Sequence, residues 1–254
     1  MERVCVFIEY KKTIAWTRDT KREIFKEGNI IWESYDVENI SASGEDHHKW
    51  DEIMIVDYPD EKKYNKELEN LKGESKVEYY HVYLFEPYPA EQKAKVDVMM
   101  KKARDDPTVD LTPGAAADEV YPENAHTNKM ILNLFEGEYR EDIVIVNFIK
   151  HWDHAVYKDG HKKEDESAKE TYKNYGRAAM KIQGKVGGHY DAAGKVKATI
   201  VSDIDFKWDV YVFVFYPSVD AFEQFWRSKF RMTTTEDQKA SMEKAYSYIV
   251  KTYK

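Results

Sequence analysis

Short apolar runs alternate with amphipathic stretches along the whole chain, and two stretches repeat one another. The first is Trp50-Asp51-Glu52-Ile53-Met54-Ile55-Val56-Asp57-Tyr58-Pro59. The second is Trp208-Asp209-Val210-Tyr211-Val212-Phe213-Val214-Phe215-Tyr216-Pro217. Each opens with Trp-Asp, continues through six mostly β-favouring residues and stops at Tyr-Pro, where proline cannot donate to a ladder. Each precedes an amphipathic helix pattern, over 60–71 (Tyr64, Leu68, Leu71) and over 219–230 (Phe222, Phe225, Trp226, Phe230).

The flanking elements pair up as well. In the first half, 4–10 reads as a strand and 14–26 as a helix that Gly28-Asn29 ends. Strands follow over 30–40 and 76–85. In the second half, 142–152 reads as a strand and 167–186 as a helix. Ser167 and Glu170 stand at capping-box spacing there, and Gly187-Gly188 closes the helix. A strand region over 189–202 leads into Trp208, and a short helix over 236–245 leads into a last strand over 246–253. Each half thus reads β-α-β-β-α-β. The predicted fold class is α+β, with one ferredoxin-like unit at 1–104 and another at 141–254. Between them, 105–140 reads as a linker carrying Pro107, Pro113-Gly114 and Pro122, with 130–135 as an added edge strand. A further helix is predicted over 91–103.

The second Trp-Asp strand is apolar on both faces: Val210, Val212 and Val214 on one, Tyr211, Phe213 and Phe215 on the other. Helices of its own unit cover one face, so the other meets the sheet of the other half. Two such sheets face to face make a barrel or sandwich, and its interior is the natural place for a ligand.

The run Ile143 to Lys150, the Tyr172/Tyr175 helix, Gly187-Gly188 and Phe215-Tyr216-Pro217-Ser218 before Phe222 resemble the dimeric α/β-barrel superfamily. Within it they are similar to small domains related to the NIPSNAP and antibiotic-biosynthesis monooxygenase groups. The resemblance covers about 142–253. It implies an intramolecular pseudo-dimer, and a superfamily that includes cofactor-independent monooxygenases, cyclases, isomerases and haem-binding enzymes. Fold likeness alone does not choose among these.

Polar residues predicted to face the interior are the lead to a site. Ile145, Asn147, Ile149 and His151 share one strand face, and Tyr79, His81 and Tyr83 share another. His151 is the candidate acid, base or catalytic group. Asn147, Tyr211, Phe213, Tyr79, His81 and Tyr83 are candidate ligand-binding residues. Asn147 and His151 lie about 13 Å apart along an extended strand, so they would hold opposite ends of one molecule.

Composition narrows the classes. The chain has 39 Lys and Arg against 47 Asp and Glu, interleaved, for a net charge of −8, which argues against a nucleic-acid partner. Its one cysteine, Cys5, cannot form an internal disulfide, and no apolar run nears the ~18 residues of a membrane span. The expected location is cytoplasmic, without a membrane partner, which makes the sequon at Asn39 a chance match. No dinucleotide, P-loop, zincin or hydrolase motif occurs. His151 and Asp153 supply two metal ligands with no third fixed by spacing, and His47-His48 reads as a solvated turn, so no metal is assigned. Lys195 and Lys197 read as protective edge-strand lysines. The cofactor is left open, with haem through His81, His151 or His189 one alternative.

Three functions follow: a small-molecule enzyme of the oxygenase, isomerase or cyclase kind with its pocket between the sheets; a non-catalytic binder using that pocket; or an interaction protein with a packed barrel. Whether the chain is an enzyme is not decided by its residues.

Overall fold

The computed structural model describes residues 1–11, 24–40, 48–74, 76–114, 125–158, 160, 162–204 and 207–252. Its first half holds β1 (Glu2–Tyr10), β2 (Asn29–Asn39), β3 (Glu52–Tyr58), α1 (Glu61–Gly73), β4 (Val77–Pro87) and α2 (Ala90–Ala103). After α3 (Ala125–Glu136) come β5 (Ile143–His151), β6 (His154–Val156), β7 (Lys162–Ser167), α4 (Ala168–Lys185), β8 (His189–Val201) and β9 (Val210–Tyr216). The chain ends with α5 (Val219–Arg227), α6 (Lys229–Met232), α7 (Thr235–Ser241) and β10 (Met242–Thr252). The molecule is a mixed α+β protein around one large antiparallel sheet of eight strands. Most of the helix predicted over 14–26 lies outside the described residues.

The eight strands close into a barrel in the order β1-β3-β2-β10-β5-β9-β8-β4, every neighbour antiparallel. The first-half strands are contiguous as β4-β1-β3-β2 and the second-half strands as β10-β5-β9-β8. The seams β2–β10 and β4–β8 join them. β6 and β7 form a separate hairpin that the sequence pattern did not announce.

The repeated Trp-Asp pair does the same job twice. The Asp51 amide donates to the Ile8 carbonyl (2.9 Å), and its carboxylate accepts the Tyr10 amide (2.7 Å). The Asp209 amide donates to the Ile149 carbonyl (2.9 Å), and its carboxylate accepts the His151 amide (2.9 Å). Each aspartate latches the end of the first strand of its half to the third. Trp50 and Trp208 are buried beside these latches.

The barrel interior is aromatic and built by both halves. Phe7 meets Phe148 at 5.4 Å and Tyr248 at 5.2 Å, and Phe85 stacks on Tyr211 at 3.6 Å. Cys5 is buried in the same cluster. Two further apolar layers lie outside the barrel, one per half. Helix α1 covers the first-half layer, with Tyr64 and Leu71 buried. Helices α4 and α5 cover the second with Tyr175, Ala179, Ile182, Phe222 and Phe225. The hydroxyl of Ser167 accepts the Glu170 amide, as its spacing predicts, and Ser218 caps α5 in the same way by accepting the Ala221 amide. At Gly184, α2 presses its Met100 backbone against α4 so closely that a Cβ has no room.

Several expectations are corrected. Residues 130–135 are helical, not an edge strand: Ile131 and Phe135, four apart, are buried together. The last strand begins at Met242, where α7 stops, rather than at 246. Lys195 and Lys197 do not guard an edge, because β8 is paired on both sides. Among the described residues no helix is long and apolar enough to cross a membrane.

Candidate functional site

Strand alternation decides which predicted residues can meet. On β5 the even residues Val144, Val146 and Phe148 enter the barrel, so Ile145, Asn147 and Ile149 face the helices. Tyr211 and Phe213 on β9 point the other way, into the barrel. Asn147 and His151 therefore do not converge with Tyr211 and Phe213, as the sequence reading expected; the sheet stands between them. The space between the two sets of strands is occupied by packed rings. Phe213 lies 4.8 Å from Trp32, and Tyr211 is buried with a hydroxyl that has no partner among the described residues. Asp57, opposite Arg3, is held in a two-pronged ion pair at 2.6 and 2.7 Å.

A cavity of about 180 Å³ lies instead on the helix side of the second half. Its floor is Ile145, Asn147, Val212, Val214 and Ser247 on the strands. Its walls are Tyr172, Tyr175, Ala179, Phe222 and Trp226, and Gly176 and Gln183 of α4 also line it. The Asn147 carboxamide oxygen accepts the Ser247 hydroxyl at 2.8 Å, while its nitrogen reaches the Ile145 and Val212 carbonyls only at 3.4 Å.

Gln183 is buried, and its Nε2 is 3.4 Å from the Tyr216 hydroxyl; its Oε1 is buried with no partner among the described residues. A buried polar atom left unpaired costs about 1–3 kcal/mol. Arg231, also buried and lining the cavity, lies 4.5 Å over the Trp226 ring and donates to the Trp226 carbonyl at 3.3 Å. A Cβ built on Gly176 meets nothing within 4 Å, so α4 leaves the space open there.

His151 is buried at the end of β5 and is not part of the lining; its ring is 4.9 Å from that of Tyr172, which is. Its Nδ1 is 3.2 Å from the Ser241 carbonyl. A carbonyl can only accept, so the proton sits on Nδ1. Burial holds the imidazole pKa below its ordinary value, against the pull of that carbonyl and of Asp209, so the ring is neutral.

The first-half candidates gather at the barrel mouth. His81 is buried with Nε2 2.6 Å from Asp203, and the Tyr83 hydroxyl is 3.3 Å from its Nδ1. Tyr79 is half exposed, its ring 4.7 Å from that of His48. His48 is not the solvated residue the sequence suggested: it packs 4.7 Å from Trp50 and also reaches Asp203. His47 lies outside the described residues. His189 pairs with Asp191 at 3.0 Å.

Sequence reasoning missed Gly176, Gln183, Ser247, Arg231 and Asp203. One signal was available: Gly176 interrupts a strong helical pattern, and glycine in a helix interior is costly without a packing or functional reason.

No protein-family model matches the chain, and no curated protein does. Among solved structures, a crystal structure of methylated RPA0582 protein is similar with a TM-score of 0.46 at 22% identity, over 50% of this chain and 91% of that one. Another, of RPA0582 as a protein of unknown function from Rhodopseudomonas palustris, gives 0.45 at 21% identity, over 50% and 93%. Both scores are too low to carry fold or function across.

Proposed function

We propose that this protein is a small-molecule binder whose cavity takes a single aromatic ring bearing a hydroxyl. The observation that carries this is the unpartnered Oε1 of buried Gln183, beside an apolar cavity of about 180 Å³. An apolar cavity of about 150 Å³ takes a benzene ring, so the size suits one ring and excludes a haem there. A hydroxyl donates to the Gln183 oxygen, and the nearby Arg231 cation favours an acidic, phenolic one. The reading is binding rather than turnover, because neutral His151 lies outside the lining.

The test is calorimetry on the full chain with phenol and toluene. Phenol is expected to bind more tightly, and Gln183→Leu to erase the preference. Gly176→Leu fills the space and is expected to abolish binding, with folding stability equal or up to about 1 kcal/mol higher. Phenol binding undiminished in Gly176→Leu would refute the assignment.

We further propose that the barrel is two ferredoxin-like βαββαβ units joined as an intramolecular dimeric α/β barrel in a cytoplasmic chain. In support, both halves have the strand order fourth-first-third-second, and both use the aspartate latch. Fragments 1–104 and 141–254 made separately are expected to self-associate, since each bares the ring-filled inner face. Monomeric fragments that melt cooperatively would overturn this reading.

A further inference from the structure

Across the sheet wall from the cavity, the ends of β1, β3, β4 and β8 form a barrel mouth with its own chemistry. His81, on the inner face of β4, sets Nε2 2.6 Å from Oδ1 of Asp203. His48, two residues before Trp50, sets its Nε2 2.8 Å from Oδ2 of the same carboxylate. The two imidazoles are largely covered, with side chains 4% and 14% exposed, while Asp203 is 62% exposed and faces outward. One ligand atom from each residue lies within 4.8 Å of the others.

The far sides of both rings are also held by oxygen. His48 Nδ1 is 3.5 Å from a Glu9 carboxylate oxygen. His81 Nδ1 is 3.3 Å from the Tyr83 hydroxyl and 3.5 Å from that of Ser202. Metal-binding histidines are oriented this way, one ring nitrogen fixed by an oxygen so that the other is presented to the ion. The Trp50 ring, 4.5 Å from His81 and 4.7 Å from His48, supplies an apolar wall.

We propose that His48, His81 and Asp203 bind one divalent first-row transition-metal ion, of the zinc type, at this mouth. Two imidazoles and a carboxylate suit such ions, and three protein ligands leave a position open for water or a substrate oxygen. Ligand atoms around a tetrahedral ion with bonds near 2.1 Å lie about 3.4 Å apart. The present 2.6 and 2.8 Å separations, each to a different oxygen of the carboxylate, need to widen by less than about 1 Å, and the widest separation, within 4.8 Å, to close by up to about 1.4 Å. The ion takes the Nε2 lone pair, so each neutral ring carries its one proton on Nδ1, facing Glu9 in His48 and the Tyr83 or Ser202 hydroxyl in His81, and a ring that was doubly protonated releases its second proton to solvent.

The experiment uses the full chain, stripped with chelator and titrated with Co²⁺ alone, then with Zn²⁺ in competition. One equivalent of Co²⁺ should bind with a visible ligand-field band, and Zn²⁺ should displace it. Asp203→Asn and His48→Gln should lose the band while retaining the wild-type circular dichroism. Tyr83→Phe should weaken binding by about 10–100-fold, the usual cost of an outer-sphere partner. His189→Gln, in a different ion pair, should bind as wild type. No saturable one-equivalent binding by the wild-type chain would overturn the proposal and leave a structural His-Asp-His bridge. So would a band that survives in both ligand variants.

Discussion

The helix-side layers of the two halves are built on matching registers and end differently. At the centre of the first, Val6 pairs with Met54 on one side and Val82 on the other, all three buried. At the same place in the second, Asn147 pairs with Val212 and Ser247, and all three line the cavity. Two valines become Asn and Ser, and a methionine becomes a valine. The loss of volume opens a space, and the gain of an amide and a hydroxyl gives it polarity. The near end of each layer holds a buried polar side chain with one oxygen unpaired among the described residues, a carboxylate in the first half and an amide in the second. In the first half Oε1 of Glu67 accepts the Glu27 amide, while its Oε2 is buried without a hydrogen-bond partner among the described residues, the Tyr58 hydroxyl lying nearby. In the second, Gln183 faces Tyr216 with one amide end unpaired. Three facing residues on a shared register thus separate a filled layer from one that holds a cavity.

Swapping truncations tests that contrast most strongly. Met54→Ala is expected to cost about 2–5 kcal/mol in the denaturant midpoint, as a cavity in a filled layer. Val212→Ala, at the matching place, enlarges a space that already exists and should cost less, because no new void is created. Equal costs would mean that the second layer is as tightly packed as the first. Imposing the first half on the second is the next largest effect. Asn147→Val with Ser247→Val should raise stability by about 0.5–2 kcal/mol, as cavity-filling changes do, and abolish phenol binding.

Glu67 gives a smaller effect with a definite sign. Burial raises its folded pKa, partly offset by the Tyr58 hydroxyl and the backbone amides of Glu27 and Gly28. Its contribution is therefore full below the ~4.3 of a free glutamate and lost as pH rises through the raised value. Glu67→Gln keeps an acceptor and cannot ionise. Its melting temperature should exceed that of the parent at neutral pH, with the gap closing in acid. The smallest effect is expected at Glu27, which hydrogen bonds from Lys63 and Lys66 bring down to about 2. That contribution is present above the free carboxyl pKa and fades as pH falls towards 2. On an exposed cluster, Glu27→Gln should lower the midpoint slightly, and salt should erase the difference.

Local signals carried most of the element pattern. The Trp-Asp…Tyr-Pro repeat located β3 and β9, since proline and the latch aspartate act within a few residues. Apolar faces on both sides of 210–216 implied a second sheet, and β9 is indeed buried on both sides. The site was less legible, for a geometric reason. Alternation tells which residues share a face but not which face looks inward, so Asn147 and His151 were assigned to the barrel when they face the helices. Gln183 and Arg231 reach the cavity from helices after it, and no spacing along the chain links them to Asn147. The same holds for His48, His81 and Asp203, three separate segments that only barrel closure brings together.

Closure by two seams also imposes an order on biogenesis. β2 and β4 flank the first half, and their outer partners, β10 and β8, both belong to the second half, β10 being the last strand made. At roughly 5–20 residues per second the ribosome needs on the order of ten seconds to supply them. During that interval a nascent first half presents two unpaired strand borders and the apolar inner face bearing Phe7, Ile53, Ile55 and Tyr83. Every other strand of the ring precedes β10 along the chain, so the barrel can close only after β10 has been made and has paired with β2 and β5.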